Sequence, residues 1–275
     1  MKIIHRRILL TGATGGIGKA LALELTRSGA SLLLTGRNAK KLEHVRRQVE
    51  EIGGHAEIVV ADLTSPDGRR SVTVAAASFR IDTLINNAGG NHLGLFATQD
   101  EASIEALLAS NLRAPMLLTR AVLPVLKRQS DACIVNVGSI LGSIATPGQS
   151  AYSASKFALR GFSEGLRREL APDGIGVVYV APRATDTDMN DVRAREMNER
   201  LGVRMDSAEQ VAAEIVRAIS RGSRERYLGW PEKLFVRINA LFPGLVDRAL
   251  GKQRLVLTEN DAPADTLALS NGVKQ

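Results

Sequence analysis

The sequence predicts an α/β protein built on a doubly wound parallel sheet with helices on both faces. Short apolar runs alternate with segments of helical periodicity from the N-terminus onward. A glycine-rich loop joins the first of these runs to the first helical segment. At 275 residues with 44% hydrophobic residues, the chain can form one large core without division into several domains.

Six apolar runs predict the strands. They are Ile3–Leu10, Ser31–Thr35, Glu57–Ala61, Thr83–Asn86, Ile134–Val137 and Gly176–Val180. Apolar residues that recur every three or four positions predict the helices. These are Gly16–Ser28, Ala39–Ile52, Ile104–Gln129, Ala151–Leu170 and Ser207–Ser220, the last with Asp206 or Ser207 as its N-cap. Strands that are apolar throughout are buried on both faces, and right-handed crossovers between them give the doubly wound sheet.

Composition and charge exclude several classes of function. The one cysteine, Cys133, rules out an internal disulfide framework and suits a reducing compartment, so we expect a cytoplasmic protein. No His and Cys residues have the spacing of metal ligands, and no metal site is expected. The net charge is +7, but the basic residues are dispersed and only 4% of residues are aromatic, which argues against nucleic-acid binding. No apolar run is long enough for a secretory signal or a membrane span.

The first predicted strand runs directly into the loop Thr11-Gly12-Ala13-Thr14-Gly15-Gly16-Ile17-Gly18, which opens the first helix. Glycines at such a junction permit a tight turn and bring backbone N–H groups close to a pyrophosphate at the positive end of the helix. Alone, the loop could be only a turn, but the strand before it and the helix after it favour a dinucleotide site. The cofactor-binding residues predicted here are Gly12, Thr14, Gly15, Gly16, Ile17 and Gly18.

The end of the second predicted strand indicates which dinucleotide is bound. Enzymes that prefer NAD carry an acidic residue about 20 residues past the loop, whereas this strand ends in Leu34-Thr35-Gly36-Arg37-Asn38. Gly36 leaves room for a 2′-phosphate and Arg37 can pair with it or stack on adenine, so NADP(H) is the expected cofactor. Asp62 and Leu63 follow the third strand, where Asp62 either binds the adenine amino group or serves as an N-cap or turn residue.

Tyr152 and Lys156 are spaced i,i+4 on a predicted helix, so both side chains project from the same face. A free tyrosine has a pKa of about 10 and is a poor base at neutral pH. A lysine ammonium one turn away and the positive nicotinamide ring would lower the pKa of Tyr152, which could then transfer a proton as hydride moves. Lys156 would also hydrogen-bond the nicotinamide ribose. Because this spacing is common on helix surfaces, its meaning depends on the neighbouring motifs.

Further polar residues follow strands at the sheet edge where open parallel sheets bind ligands. Ser139 comes just after Ile134–Val137 and either holds the substrate oxygen or is an ordinary loop serine. In the segment Asn86-Asn87-Ala88-Gly89, the small residues Ala88 and Gly89 allow close approach of the cofactor, while the asparagine amides brace the turn.

Asn111 lies inside the predicted helix Ile104–Gln129, four residues before Pro115. Proline has no N–H, so the carbonyl of Asn111 should lose its helical partner and the helix should kink. A freed carbonyl at the sheet edge could hold a water that relays protons through Lys156. The alternative is a kinked packing helix without a catalytic role.

With these motifs in order, the sequence resembles the classical short-chain dehydrogenase/reductase family over roughly residues 3–220. The resemblance rests on TGATGGIG at 11–18, NNAG at 86–89, Ser139 and YSASK at 152–156. It implies a seven-stranded Rossmann-type sheet, a catalytic set of Asn111, Ser139, Tyr152 and Lys156, and a homodimer or homotetramer. It also implies cofactor contacts from Asn87, Ala88, Gly89, Tyr152, Lys156, Pro182, Thr185 and Thr187.

The sequence departs from the family pattern after the sixth strand. The family has Pro-Gly there, followed by a threonine that holds the nicotinamide amide; this chain has Pro182-Arg183-Ala184-Thr185-Asp186-Thr187. Thr187 matches, but Arg183 replaces the glycine. Arg183 either binds an anionic group of the substrate, such as a carboxylate or a phosphate, or faces solvent or the pyrophosphate.

We predict three regions along the chain. Residues 1–225 form the dinucleotide-binding catalytic domain, with a substrate lid at about 188–206. Residues 226–256 form an amphipathic helical extension whose apolar stripe includes Leu234, Phe235, Ile238, Leu241, Phe242, Leu245 and Val246. This stripe packs on the domain or on a partner subunit, or it makes peripheral membrane contact through 229–250. Residues 257–275 lack periodicity and should be disordered.

The expected activity is hydride transfer between NADP(H) and a small-molecule carbonyl or alcohol substrate, with a tyrosine as general acid and base. One alternative is a lipid-processing reductase at a membrane surface, acting on an acyl or sterol-like ketone. A less favoured one is a non-catalytic NADP-binding sensor, which would be expected to lack Tyr152 or Lys156.

Overall fold

The computed structural model describes residues 2–187, 195–196, 199–200 and 202–251. The strands are β1 Arg7–Thr11, β2 Ser31–Gly36, β3 Ala56–Val60, β4 Thr83–Asn86, β5 Cys133–Val137, β6 Gly176–Ala181, β7 Thr185–Asp186, β8 Asp206–Ser207 and β9 Glu225–Tyr227. The α-helices are α1 Gly16–Arg27, α2 Ala39–Glu51, α3 Pro66–Phe79, α4 Glu101–Leu108, α5 Ala114–Leu126, α6 Ser150–Leu170, α7 Ala208–Ser220 and α8 Glu232–Leu241.

Seven strands form one parallel sheet in the order β3-β2-β1-β4-β5-β6-β9. The order reverses between β1 and β4, and ligands of such sheets bind at the carboxyl ends of the strands beside this reversal. The predicted doubly wound, Rossmann-type sheet is therefore confirmed. A second, two-stranded sheet pairs β7 with β8 in parallel.

Alternate residues of the strands enter two separate cores, one on each face of the sheet. Leu10 of β1 packs on the face covered by α1, α2 and α7, where Ile215 is fully buried. Its neighbour Leu9 packs on the other face, covered by α3, α5 and α6, where Leu118 is fully buried. Because both faces are covered, the strands are apolar at nearly every position, as the sequence indicated.

The first strand begins later than predicted, at Arg7 rather than Ile3. Residues 3–6 form a turn in which the Arg6 N–H donates to the carbonyl of Ile3 over 3.0 Å. Ile3 is 5% exposed and belongs to the core, so its apolar character reflects burial and not strand pairing. The turn also buries Arg6, whose guanidinium pairs with Asp82 at 3.3 Å and with Asp131.

The long helix predicted over Ile104–Gln129 is divided into three pieces. Helix α4 ends at Leu108, a π-helical turn spans Ala109–Arg113, and α5 begins at Ala114. Pro115 lies in the first turn of α5, where its missing N–H needs no helical partner. The irregularity expected around Asn111 thus takes the form of a wider helical turn.

Helix α3 and the strands β7, β8 and β9 were not predicted. Helix α3 begins with Ser65 as N-cap and Pro66 at its first position, and it contributes few apolar residues to the core, with Val72 and Ala76 buried. Strand β9, Glu225–Tyr227, is the edge strand of the sheet and crosses the domain boundary predicted between 225 and 226. The N-cap of α7 is Ser207, which forms a capping box with Gln210.

The C-terminal extension is helical where it is described. Helix α8 is followed by helical residues at 243–251. The predicted lid lies largely outside the described residues, as do 252–256 and the predicted tail 257–275. Among the helices of the described residues, none has the length and apolar character needed to cross a membrane.

Candidate active site

A cavity of about 1040 Å³ opens at the carboxyl ends of the strands, next to the reversal of strand order. It is lined by every residue that the sequence predicts for the cofactor and the chemistry, except Asn111. Those lining residues are Gly12, Thr14, Gly15, Gly16, Ile17, Gly18, Arg37, Asp62, Leu63, Asn87, Ala88, Gly89, Ser139, Tyr152, Lys156, Pro182, Thr185 and Thr187. The motifs are therefore brought together at one edge of the sheet.

The glycine loop is packed closely against the end of β4. Gly12 has φ +64°, and a Cβ there would lie 2.7 Å from Cα of Ala88, so only glycine fits. Nδ2 of Asn87 donates to the carbonyl of Thr11 over 3.0 Å, and Oγ1 of Thr11 accepts from the Ala88 N–H over 3.0 Å. These bonds hold the loop and the β4 edge as one rigid unit, as expected for bracing asparagines.

The first turn of α1 is open to an anion. Gly15, its N-cap, offers no side-chain cap, and the first turn contains no acidic residue. The N–H groups at a helix start lack helical partners and form the positive end of the helix dipole. Since Gly15, Gly16 and Ile17 line the cavity, this end fits a pyrophosphate.

Basic residues lie at the end of the cavity next to β2. Arg37 is exposed and lines the cavity together with Lys41 of α2, a residue that the sequence analysis missed. Nothing in the sequence pattern marks Lys41, because it is one of several cations on a surface helix. Both cations follow Gly36, where the phosphate of NADP(H) was expected.

Asp62 acts as a turn residue. Its Oδ1 accepts from the Thr64 N–H over 2.9 Å and from the Thr64 hydroxyl over 2.8 Å. These bonds hold the pKa of Asp62 below its usual value, with a smaller contribution from the nearby charge of Arg37. The sequence left two roles open for Asp62, a contact to the adenine amino group or a turn residue, and the contacts observed here are those of a turn residue. Asp62 also lines the cavity.

Tyr152, Ser139 and Lys156 are gathered in the centre of the cavity. The side chain of Ser139 lies beside the hydroxyl of Tyr152, close enough to lower its pKa. Nζ of Lys156 lies 5.7 Å from the centroid of the Tyr152 ring and donates to the Val137 carbonyl over 3.2 Å. The two residues lie one turn apart on α6, whereas Ser139 is supplied by the loop after β5.

The protein environment shifts both pKa values by burial. Burial raises the pKa of Tyr152, and the side chain of Ser139 opposes that rise. Burial lowers the pKa of Lys156 to about 8. The protein's own groups alone do not lower the pKa of Tyr152, because desolvation disfavours the phenolate more than these groups favour it. The phenol is therefore protonated at neutral pH, which suits a proton donor to a carbonyl oxygen. The lowering expected with the positive nicotinamide ring in place stays a prediction.

Asn111 lies behind the cavity. Its Oδ1 accepts from the Gly90 N–H over 2.8 Å, and its Nδ2 donates to Ser155 Oγ over 3.1 Å. The side chain joins the loop after β4 to α6 one residue before Lys156. A Cβ on Gly89 would lie 2.9 Å from the Asn111 Oδ1, so the loop needs glycine to pack here.

Two polar residues of the site were missed by the sequence analysis. Tyr179 of β6 is fully buried, and its hydroxyl donates to the Ser139 carbonyl over 3.3 Å. Gln149, the N-cap of α6, lines the cavity and is 7% exposed, and its Oε1 has no hydrogen-bond partner among the described residues. Tyr179 sits inside an apolar run and Gln149 in a polar loop, so neither forms a recognisable pattern.

Arg183 is neutralised by two carboxylates. Its Nη2 lies 2.6 Å from Asp206 and its Nη1 lies 3.2 Å from Glu232, and its side chain is 10% exposed. The hypothesis that Arg183 binds an anionic substrate group is corrected, because the guanidinium is already paired on both sides. It is a structural cation at the rim of the cavity.

The comparisons with known proteins agree with this geometry. The profile described as short chain dehydrogenase matches residues 6–198. The chain belongs to the short-chain dehydrogenase family. It is 38% identical over 189 residues to the uncharacterized oxidoreductase YmfI of Bacillus subtilis, covering 68% of this chain and 77% of that protein. It is 31% identical over 268 residues to dehydrogenase/reductase SDR family member 7B of Mus musculus, covering 90% and 80%.

Solved structures of short-chain dehydrogenases share the fold. A short chain dehydrogenase from Burkholderia cenocepacia, crystallised in complex with NADP, superposes with a TM-score of 0.76 and 30% identity over 85% of this chain and 100% of that one. The chain is thus an oxidoreductase of this family, with a Rossmann-type sheet. Among the described residues, no cluster of three or more potential metal ligands is present.

Proposed function

We propose that the protein transfers a hydride between NADP(H) and a carbonyl or alcohol substrate, with Tyr152 as the general acid and base. One observation carries the proposal: Tyr152, with Ser139 and buried Lys156 beside it, lines the same cavity as the glycine loop. The family membership supplies the reaction type, and these residues supply its proton chemistry.

NADP(H) fits the residues of this cavity. The uncapped first turn of α1 would hold the pyrophosphate, and Arg37 with Lys41 would hold the 2′-phosphate. Thr187 and Pro182 line the cavity, and the family resemblance implies that Thr187 would hold the nicotinamide amide. When bound, the cofactor supplies or takes up the hydride.

The remaining chemistry belongs to side chains of this chain. Ser139 Oγ would donate a hydrogen bond to the substrate oxygen and orient it towards Tyr152. Tyr152 would deliver its phenolic proton to that oxygen during reduction and accept it during oxidation. Lys156 is protonated below a pH of about 8, and its charge stabilises the phenolate that forms when Tyr152 gives up the proton.

The proposal is tested by NADPH oxidation across a panel of ketones, aldehydes and acyl thioesters. We expect turnover of at least one carbonyl class, with Tyr152→Phe lowering kcat at least 100-fold while NADPH binding, followed by its fluorescence, is retained. Arg37→Gln should raise the KM for NADPH at least tenfold and leave that for NADH unchanged. Preference of the wild type for NADH would overturn the assignment of the cofactor.

A second candidate is the same reaction at a membrane surface. It is favoured by the exposed apolar side chains of the C-terminal extension, among them Leu241, 72% exposed, and Leu245, 62% exposed and lining the cavity. The sensor alternative has no such support, because Tyr152 and Lys156, which a sensor would be expected to lack, are both present.

A further inference from the structure

Beyond Tyr152, the cavity continues to the C-terminal extension. We call residues 230–251 the C-terminal wall. Its cavity-lining residues other than Glu232 are all apolar: Phe235, Ile238, Leu245, Val246, Ala249 and Leu250. The loop after β5, which also carries Ser139, adds Leu141 and Ile144 to the lining. The substrate end of the cavity is therefore an apolar chamber that begins next to the catalytic hydroxyls.

The charged side chains beside this chamber are paired with one another. Of the described residues that line the cavity next to the C-terminal wall, Arg183 and Glu232 are charged, and they pair with each other at 3.2 Å. The second carboxylate on Arg183 belongs to Asp206, at 2.6 Å. A charged substrate group placed here would break these pairs, whereas a neutral apolar group would not.

The C-terminal wall is fixed to the catalytic domain at two points. Arg183 donates to Glu232 and, over 3.4 Å, to the carbonyl of Trp230, and so ties the start of α8 to the end of β6. Gly229 is part of this attachment, because a Cβ there would lie 2.6 Å from Cδ of Arg183. Further along α8, Nδ2 of Asn239 donates to the carbonyl of Ser143 over 2.9 Å.

These attachments explain Arg183 in place of the family glycine. Its guanidinium bridges Asp206 of β8 and the first turn of α8 at Glu232. A glycine at 183 would leave both carboxylates without their cation. Arg183 is thus a positioning residue that holds the C-terminal wall over the substrate end of the cavity.

We propose that the C-terminal wall binds the tail of the substrate, and that this substrate is a carbonyl or alcohol carrying a long, neutral, apolar chain. The proposal rests on the proposed function, since it assumes that the reacting carbon lies at Tyr152. Burial of each methylene of such a chain should raise kcat/KM by about two- to fourfold until the chamber is filled.

The test is NADPH oxidation with methyl ketones from 2-butanone to 2-dodecanone. We expect log kcat/KM to rise with chain length in the wild type. Ile238→Asn, which puts an amide into the apolar lining, should lower kcat/KM for 2-dodecanone at least tenfold more than for 2-butanone. The matched control is Ala240→Asn, because Ala240 is exposed on the same helix and does not line the cavity. This control should keep the wild-type slope.

Arg183→Met tests the attachment. This variant should reduce the rise of log kcat/KM with ketone chain length. The KM for NADPH should stay within twofold of the wild-type value, because the glycine loop is unchanged. A flat chain-length profile in the wild type, or the same slope in Ile238→Asn and Ala240→Asn, would overturn the proposal.

A binding measurement separates this proposal from the proposed function. Trp230 is the one tryptophan of the chain and begins the C-terminal wall, so its fluorescence can be titrated with 2-dodecanone in the presence of NADP⁺. Saturable binding that is at least tenfold weaker in Ile238→Asn supports the apolar chamber even if no ketone is reduced. Turnover of short ketones without any binding of 2-dodecanone supports the proposed function and rejects the chamber.

Discussion

Lys156 carries a buried charge whose cost should be visible in protein stability. Burial lowers its pKa from 10.5 to about 8, so below pH 8 the folded protein holds an ammonium that the unfolded chain would solvate better. The penalty is complete below pH 8 and disappears as pH rises towards the unfolded value. We expect the stability advantage of Lys156→Met over the wild type to shrink by about 2–3 kcal/mol between pH 7 and pH 10.

Urea unfolding of both proteins at the two pH values measures this change. Other groups titrate in the same range, but they are common to both proteins and cancel in the difference. An equal stability difference at pH 7 and pH 10 would show that Lys156 is not desolvated. Loss of activity in Lys156→Met with retained folding would place its role in the chemistry.

Tyr179 is expected to position Ser139. Its hydroxyl donates to the Ser139 carbonyl over 3.3 Å, and its ring lies against Gly138, where a Cβ would meet it at 2.3 Å or less. Tyr179→Phe removes the bond but keeps the ring, so we expect a loss of about 1 kcal/mol in stability. We also expect a three- to tenfold lower kcat with an unchanged KM for NADPH, measured by steady-state kinetics.

The control for Tyr179→Phe is Tyr227→Phe. The Tyr227 hydroxyl accepts from Ser143 and donates to Glu225, and it makes no contact with Ser139. This variant should keep the wild-type kcat. Equal kcat values in the two variants would mean that Tyr179 does not position Ser139.

At the residue scale, the sequence predicted the site residues that stand at a regular spacing. It missed the site residues whose position depends on tertiary packing. Tyr152 and Lys156 stand one helical turn apart, and their meeting with Ser139 follows from the shared sheet edge. Tyr179 and Gln149 reach the site from positions whose neighbours are apolar core or loop. The two partners of Arg183 are 23 and 49 residues away in sequence, so no local pattern reveals its ion pairs.

At the element scale, β1, β4 and β5 are joined at their amino ends by the buried Arg6. Its guanidinium donates to Thr83 Oγ1 over 2.9 Å and to the Asp131 carbonyl over 2.7 Å, besides pairing with Asp82. Arg6→Met leaves Asp82, whose side chain is 16% exposed, without its cation. We expect a loss of about 3 kcal/mol in the free energy of unfolding, measured in urea.

The opposite end of the sheet should not respond to this change. The cavity lies at the carboxyl ends of the strands, so the KM for NADPH of folded Arg6→Met should equal that of the wild type. The control is Arg27→Met, since Arg27 is exposed and pairs with Glu24 at 3.5 Å on the surface of α1; its loss should cost less than about 1 kcal/mol. Equal losses for the two variants would show that the Arg6 network adds nothing beyond a surface pair.

Elements with strong periodicity were predicted, and weakly patterned ones were not. Helix α1 and strand β2 bury continuous or regularly spaced apolar residues, and their bounds differ from the prediction by one residue. Helix α3 packs with small alanines and one valine, so its apolar stripe is faint. Strand β9 has the sequence Glu-Arg-Tyr and is a strand because it pairs with β6 at the sheet edge, a tertiary cause that local sequence does not carry.

At the scale of the whole molecule, the C-terminal wall has an outer surface that the fold leaves exposed. Trp230 is 69% exposed, Leu241 72% and Phe242 60%. Large exposed apolar side chains that lie together normally mark a surface that contacts a protein partner or a membrane. The basic residues Lys233 and Arg237 lie on the same helix. Apolar side chains flanked by cations are typical of helices that lie on anionic membranes.

We therefore expect the full chain to sediment with vesicles containing phosphatidylserine and to do so less with pure phosphatidylcholine. Each cation near such a surface adds about 1 kcal/mol, and raised salt should weaken the binding. The double variant Leu241→Asp, Phe242→Asp should stay in the supernatant. Val74→Asp is the control, because Val74 is 67% exposed and belongs to α3 and not to the C-terminal wall.

The competing occupant of this surface is a second copy of the chain, since the family resemblance predicts a homodimer or homotetramer. Light scattering without vesicles distinguishes the two. If the exposed side chains meet a membrane, the aspartate variant keeps the wild-type mass and loses only vesicle binding. If they contact another subunit, the mass of the aspartate variant falls below that of the wild type. The wild type then does not bind vesicles, because its apolar side chains are already covered in the oligomer. The latter result would reject the membrane candidate, while the apolar chamber would be unaffected, because neither Leu241 nor Phe242 lines the cavity.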